Sequence, residues 1–356
     1  MEGLNRRVNP SFWKGKKVFL TGHTGFKGSW LSIWLSELGA EVKGYSLAPN
    51  TTPALFEEAR IAELVNSEIG DIRDFQNLKK SIEEFNPDVL IHMAAQPLVR
   101  LSYEEPLETF ETNVMGTANV LQAARSSKNL KAIVSVTTDK CYENKEWPWG
   151  YREYEPMGGH DPYSASKGCA ELVTAAYRKS FFSTENTANL ASARAGNVIG
   201  GGDWAVDRLI PDILKAFEKE EAVVIRNPLS TRPWQHVLEP LSGYLILAEA
   251  LYEQGASYAE GWNFGPKDED CRPVTWILDE MVEKWEGTAT WELDKNTNPH
   301  EAGFLKLDCS KAKAQLKWEP TWNLQETLSR IISWHQSWLK GADVQELCKK
   351  EIANYN

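Results

Sequence analysis

The sequence predicts an α/β protein: a doubly wound parallel sheet with a smaller, mainly C-terminal α/β domain that binds substrate. Three observations predict it. Short apolar runs alternate with stretches of helical periodicity over the first 195 residues, the pattern of repeated βαβ units. A glycine-rich turn follows the first apolar run directly, where a strand hands over to a helix. Beyond about Asn197 the chain changes to Gly-, Pro- and Trp-rich segments with shorter apolar pieces.

Lys17 to Leu20 forms the first strand and ends in Thr21-Gly22. Phe26, Trp30, Ile33 and Trp34 then recur at helical spacing until Gly39 stops the helix. Val42 to Leu47 supplies the second strand, joined to the first in parallel by a right-handed crossover. A third strand precedes Asp71, and further strands lie at Asp88 to His92, Ala132 to Val136 and Leu190 to Ala195. Helices such as Phe75 to Phe85 and Asn113 to Arg125 separate them. The arrangement is of the Rossmann type. It assigns residues 1–195 to a cofactor-binding domain, completed by parts of 232–267, and 196–356 mainly to a substrate domain. In the tail from Asn323, Leu328, Ile331, Ile332, Trp334 and Trp338 mark one more helix packed on the core.

Composition limits the function classes. With 356 residues, 42% of them hydrophobic and 25% charged, the chain is globular. Its net charge of -11 argues against a general nucleic-acid binder, because affinity for a phosphate backbone comes from clustered Lys and Arg. Cys141, Cys169, Cys271, Cys309 and Cys348 show neither CxxC pairs nor close Cys/His spacing. No disulfide framework and no metal site is therefore expected, and the setting reads as reducing and cytoplasmic. The N-terminal stretch MEGLNRRVNPSFWKGKK lacks the apolar run of a signal peptide, and nowhere do 18 apolar residues follow one another. A soluble, unprocessed protein without a membrane segment is expected.

The turn Gly22-His23-Thr24-Gly25-Phe26-Lys27-Gly28 spaces its glycines by three between a strand and a helix. A pyrophosphate can approach the backbone N–H groups there, at the positive end of the helix dipole. Such a triad at the first βα junction predicts a dinucleotide site. His23 and Lys27 are bulky and polar for such a turn, and either touch phosphate or face solvent. The second strand ends Gly44-Tyr45-Ser46-Leu47, with neither a carboxylate for a ribose 2′-hydroxyl nor an Arg for a 2′-phosphate, which leans weakly to NAD. Asp71-Ile72 are the candidates for the adenine end.

Tyr163 and Lys167 stand one turn apart on one face of a predicted helix. A phenol, with a reference pKa of about 10, becomes a base near neutrality only beside a cation. That pairing suits proton removal from a hydroxyl that is losing hydride. At the end of the preceding strand Thr137-Thr138-Asp139-Lys140 place a hydroxyl, an acid and an amine where such sheets present ligand-facing groups.

These residues resemble the extended short-chain dehydrogenase/reductase superfamily over nearly the whole chain. The resemblance rests on TGxxGxxG at 21–28, His92-Met93-Ala94-Ala95, Asn113, the Tyr163/Lys167 pair and Arg194 to Asn197. The longer strings GHTGFKGSWL, AAQPLVRLSYEEP, TTDKCYEN, RAGNVIGGGDW, DRLIPD and RNPLSTRPWQHVLEPLSGY resemble the nucleotide-sugar 4,6-dehydratases that act on CDP-D-glucose. What the resemblance implies is an NAD-dependent lyase that forms CDP-4-keto-6-deoxy-D-glucose for deoxysugar and surface-polysaccharide synthesis. It further implies that Ala94, Ala95, Gln96, Asn113 and Thr137 join the turn in holding NAD, and that Thr138 polarises the sugar oxygen deprotonated by Tyr163. Relatives acting on dTDP-glucose and GDP-mannose carry Asp-Glu where this chain has Asp139-Lys140, so a neutral Lys140 is assigned as the carbon 5 base and Asp139 as the acid. Arg208, Arg226 and Arg232 are expected on the diphosphate, with Asn197, Asp203, Trp204 and Leu209 along the nucleotide channel and His300-Glu301 closing the pocket. His236 is not given a catalytic role. The family's dimers use the helices of the Asn113 and Tyr163 segments, so a homodimer or homotetramer is expected.

Two rival readings stand beside this one. A nucleotide-sugar epimerase would share the turn and the Tyr/Lys pair, but Asp139-Lys140 disfavours it, and only a dehydratase yields the alkaline chromophore of a 4-keto-6-deoxy sugar. A cofactor-sensing binding protein would have no need to keep Thr138, Tyr163 and Lys167 together.

Overall fold

The computed structural model describes residues 5–184, 186–294 and 303–356. Its strands are β1 (Lys17–Thr21), β2 (Glu41–Ser46), β3 (Asn66–Ile69), β4 (Val89–His92), β5 (Ala132–Val136), β6 (Asn189–Ala195), β7 (Asn197–Ile199), β8 (Ala222–Ile225), β9 (Thr231–His236), β10 (Gly261–Phe264), β11 (Cys271–Pro273) and β12 (Thr290–Leu293). Seven of them form one sheet in the order β3-β2-β1-β4-β5-β6-β10, with every neighbouring pair parallel. A sheet of this kind is covered on both faces, which is why β4 and β5 are apolar runs rather than alternating ones: every residue in them is buried.

Helix α1 (Phe26–Glu37) covers one face, and all of Gly28 to Leu35 is buried. The other face carries α2 (Phe75–Phe85), α3 (Gly116–Ala124) and α4 (Pro162–Phe181), which enclose Phe19, Leu90 and Ile133 together with Leu78, Ile82, Val120 and Leu121. A second, smaller core belongs to α5 (Leu209–Glu218) and its neighbours. Helix α6 (Leu238–Gln254) returns to the first face, with Leu238 through Leu251 buried without a break, as a helix that is apolar all round must be. Helices α7 (Val274–Lys284), α8 (Leu324–Leu339) and α9 (Val344–Tyr355) follow.

The second core packs Ile210, Ile213, Leu214 and Phe217 of α5 against Ile277, Leu278 and Met281 of α7 and Leu328, Ile331 and Ile332 of α8. Beside it lie the short sheets β7-β9-β11 and β8-β12. The tail helix starts where Asn323 accepts the Glu326 N–H at 2.8 Å. The stretch expected as a helix from Asn113 opens instead as a wide π-type turn, Glu111–Met115, before α3. Such a turn re-aims one side chain within a helix, and here that side chain is Asn113.

Strand order reverses between β1 and β4, since β1 lies between β2 and β4. In open α/β sheets a crevice forms at the carboxyl ends at this point. Both the glycine turn after β1 and the loop after β4 end there, and register sets Thr21 opposite His92.

Candidate active site

Sterics dictate two of the three glycines in the turn. Gly22 has φ +79°, and a Cβ on it would lie 2.8 Å from the Ala94 nitrogen. A Cβ on Gly28 would come within 2.0 Å of the Gly22 carbonyl oxygen, so α1 can start this close to β1 only without one. Gly25, the N-cap of α1, is exposed and has no such crowding. An exposed, side-chain-free helix N-terminus after β1 fits a dinucleotide pyrophosphate.

The two unusual residues of the turn part ways. His23 is fully buried, its Nε2 2.7 Å from Ser67 Oγ and its ring filling the space over Gly44, where a Cβ would be 2.3 Å away. Burial, with Lys43 nearby, drives its pKa down to about 4, so it is neutral. Lys27 instead lines the cleft. Burial and the charges of Lys167 and Arg208 push its ammonium down to about 7.

Thr24 donates to the Leu47 carbonyl at 2.8 Å and lies 2.9 Å from Ser46 Oγ, tying the turn to the end of β2. Asp71 is half-buried beyond β3 and is held by Arg73, with contacts from 2.7 to 3.1 Å, while Ile72 is buried. The Arg73 guanidinium keeps the Asp71 carboxyl below its usual range despite partial burial.

The loop after β4 is fixed by hydrogen bonds. Thr21 Oγ1 accepts the Met93 and Ala94 N–H groups at 3.0 and 3.1 Å and sits 2.8 Å from His92 Nδ1. Ala94 and Ala95 follow, half-buried. Asn113, expected on the cofactor, spends its side chain inside the protein. Its Oδ1 accepts the Gln96 N–H at 2.8 Å, and its Nδ2 donates to the Gln96 carbonyl at 3.0 Å and to Ser166 Oγ at 2.9 Å. It is a clamp between this loop and α4. The Gln96 amide likewise folds back on Leu98 and Thr109.

Helix α4 begins with Asp161 accepting the Ser164 N–H at 2.8 Å and with Pro162 in its first turn, a preorganised start. That cap sets Tyr163 in the first turn, where it lines the cleft, and Lys167 one turn on, and both are buried. Burial raises the Tyr163 phenol to about 12, partly offset by its hydrogen bond with Thr138, and lowers the Lys167 ammonium to about 8. Thr138 caps the single turn Asp139–Cys141 and donates to Asp139 Oδ1 at 2.9 Å. Asp139 Oδ2 is buried without a hydrogen-bond partner, and burial raises this carboxyl, as proton donation requires. Lys140 lies beside it on the cleft wall. Thr137 also lines the cleft, but its hydroxyl is donated at 2.5 Å to Glu171 on α4.

These groups face a cavity of about 320 Å³ that runs from Tyr163 and the Thr138–Lys140 turn to Arg226. Asn197, Asp203, Arg208, Leu209, Arg226 and Arg232 all line it. Asp203 acts on Arg208, accepting its Nη1 at 3.0 Å. Trp204 does not line the cavity. It packs on Trp334 and Trp338 of α8, with ring centroids 6.0 and 5.0 Å away, because apolar area on that helix is the larger sink for an indole. His300 and Glu301 lie outside the described residues. His236 is buried, held neutral by burial, and set edge-on to Trp30 and Trp322.

The sequence reading missed Arg100, Asp207 and Asp212, which also line the cavity. For Arg100 there was a signal, since it follows β4 on the carboxyl edge of the sheet. Among the described residues, no group of three or more His, Cys, Asp or Glu is placed to hold a metal ion.

A glycine turn at the first βα junction, a buried Tyr/Lys pair on α4 and a hydroxyl at the end of β5 define an extended short-chain dehydrogenase/reductase. The model of the family described as GDP-mannose 4,6 dehydratase matches residues 19–331, and the chain belongs to that family. It is 60% identical to the CDP-glucose 4,6-dehydratase of Salmonella typhimurium over 352 residues, 98% of each chain. It is 24% identical to the UDP-glucuronate 4-epimerase of Thermodesulfobacterium geofontis, over 88% of this chain and 94% of that one. Among solved structures, dTDP-glucose 4,6-dehydratase of Streptomyces venezuelae with NAD bound superimposes with a TM-score of 0.76 at 22% identity, covering 92% of this chain and 99% of that one. UDP-glucuronic acid 4-epimerase of Bacillus cereus, in complex with UDP-glucuronic acid and NAD, gives 0.79 at 23% identity, covering 90% and 99%.

Proposed function

We propose that the protein is an NAD-dependent CDP-D-glucose 4,6-dehydratase, converting CDP-D-glucose to CDP-4-keto-6-deoxy-D-glucose and water. The observation that carries this is one cleft with Thr138, Asp139, Lys140 and Tyr163 at one end and Arg208, Arg226 and Arg232 lining the remainder, in a chain 60% identical to a CDP-glucose 4,6-dehydratase.

Bound NAD supplies the acceptor for the hydride of carbon 4 and later its donor to carbon 6. The residues handle protons and orientation. Tyr163 Oη takes the proton of the 4-hydroxyl; burial opposes its phenolate, whereas the Thr138 hydrogen bond and the charge of Arg208 favour it, as does a positive charge on Lys167 one turn along. Thr138, bonded to Tyr163, orients the same sugar oxygen. Once carbon 4 is a ketone, the proton on carbon 5 is acidic, and Lys140 removes it. Asp139, whose carboxyl is raised by burial, gives a proton to the 6-hydroxyl, which leaves as water. Hydride then returns to carbon 6 while Lys140 gives a proton back to carbon 5, so the ketone product forms with no net redox change. The planar guanidinium groups bind the diphosphate in bidentate fashion.

The enzyme is proposed to work in the cytoplasm as a homodimer or homotetramer. All five cysteines are free thiols, and no described helix is long and apolar enough to cross a membrane. Exposed Leu101, Tyr103, Leu107 and Met115, with Leu172 and Phe181 of α4, supply apolar area for a helical interface.

Incubation with CDP-, dTDP-, UDP- and GDP-glucose, with and without added NAD, tests the reading. CDP-D-glucose should give the alkaline chromophore of a 4-keto-6-deoxy sugar in preference to the others. Epimerised product, or no turnover of any of the four, would overturn it.

A further inference from the structure

The cavity ends in an ion cluster that spans it. Arg100, in the short helix Val99–Glu104 that follows β4, donates from Nη1 to Asp207 Oδ1 at 3.0 Å. The same Asp207 oxygen is 3.9 Å from Arg226 Nη1. Arg100 belongs to the large-sheet lobe, whereas Asp207 and Arg226 come from the segments flanking α5 in the small lobe. A single carboxylate thus joins two guanidinium groups from opposite walls of the cleft.

Three features bear on the strength of this arrangement. Asp207 has φ +59°, a left-handed conformation unfavourable for a residue with a Cβ. Its side chain and that of Arg100 are 39% and 38% exposed, and exposed ion pairs of this kind are weak. Asp212 faces the same place, and burial with Asp207 nearby raises its carboxyl to about 6, so negative charge is already crowded there. A diphosphate entering the cleft would meet Asp207 as a like charge and the two arginines as matching forks.

We propose that Arg100 is a further diphosphate ligand, and that Asp207 stands in for the phosphate in the unliganded cleft, holding Arg100 and Arg226 until CDP-sugar displaces it. The inference rests on the reading of this cleft as a nucleotide-sugar site. It assigns opposite effects to the two partners of one ion pair, which a purely structural bridge cannot produce. Removing Arg100 deletes a ligand; neutralising Asp207 deletes a competitor.

The test measures KM and kcat for CDP-D-glucose, and Kd for CDP, in the full-length enzyme and in Arg100→Ala, Arg100→Lys and Asp207→Asn. Arg100→Ala should raise KM and the Kd for CDP at least tenfold, the scale of one charge-assisted hydrogen bond, with kcat within about twofold. Arg100→Lys should recover part of that loss. Asp207→Asn should lower both constants about threefold. If the two substitutions shift KM in the same direction, or Asp207→Asn weakens CDP, the bridge is structural and the inference falls. If the parent enzyme fails to turn over CDP-D-glucose at all, the functional reading has failed instead. Parent turnover with no change in any variant overturns the inference alone.

Discussion

The buried ion pair behind the catalytic helix offers the sharpest test of how this site is held. Glu171 lies one turn beyond Lys167 on α4, its side chain 4% exposed, and Arg194 on β6 is 5% exposed. The carboxylate accepts Arg194 Nε and Nη2 at 2.9 and 2.8 Å, Ser192 Oγ at 2.7 Å and Thr137 Oγ1 at 2.5 Å. Arg194 Nη1 also donates to Tyr142 Oη and the Glu153 carbonyl, both at 2.7 Å. The pair therefore fastens α4 to the end of β5, to β6 and to the segment after Asp139. The Arg194 guanidinium and these hydroxyls hold the Glu171 carboxyl below its usual range in spite of its burial.

Replacing Glu171 by Leu leaves a guanidinium buried without its counter-charge, and breaking a buried pair in this way costs about 3–5 kcal/mol. Set against a typical stability of about 5–15 kcal/mol, that is roughly a fifth or more of the total. Arg194→Met should cost about the same. The double substitution exchanges the pair for apolar volume, so its cost should fall short of the sum by about 2 kcal/mol or more. Urea unfolding followed by tryptophan fluorescence gives all three values. If the two single costs add to within about 0.5 kcal/mol, the residues do not stabilise each other and the argument from mutual burial is wrong.

Three further outcomes follow from the site. Tyr163→Phe keeps the buried ring and removes the base, and should lower kcat by about 10²–10⁴ at unchanged thermal stability; a smaller loss would mean that another group takes the proton. Lys140→Met should abolish wash-in of deuterium from D₂O at carbon 5 of the product, and wash-in at the parent rate would remove Lys140 as the base. His92 is buried between Thr21 and Thr117, at 2.8 and 3.0 Å, and burial holds its pKa down at about 3. Because the unfolded chain takes up this proton near pH 6.5 and the folded one does not, stability present above pH 6.5 is lost as pH falls, by about 1.4 kcal/mol per unit. His92→Gln has no such titration, so its stability deficit at pH 7.5 should shrink by that amount per unit between pH 6 and 4; a deficit independent of pH would refute a neutral His92.

Much of this protein is local and was therefore legible. The strand, glycine turn and helix at 17–37 need only hydrophobic period and the spacing of the glycines to be recognised, and the Tyr163/Lys167 spacing fixes two side chains on one helix face wherever the helix sits. The parallel, doubly wound character of the large sheet follows from the alternation of strands and helices. What sequence alone determined is thus the sheet, the turn that fits a dinucleotide and the identity of the chemical groups after β5.

Tertiary structure decided which of those groups face the cleft and what charge they carry. His23 turned inward because the absence of a Cβ at Gly44 leaves room for its ring, a contact 21 positions away along the chain. Asn113 became a clamp because its π-type turn aims it at Gln96 and Ser166, and Trp204 left the nucleotide channel for the tryptophans of α8. The raised carboxyl of Asp139 and the bridge from Arg100 to Asp207 depend on burial and on distant segments meeting, which happens only after the chain has packed. Periodicity and spacing report what is near in the chain; desolvation and charge pairing depend on what is near in space.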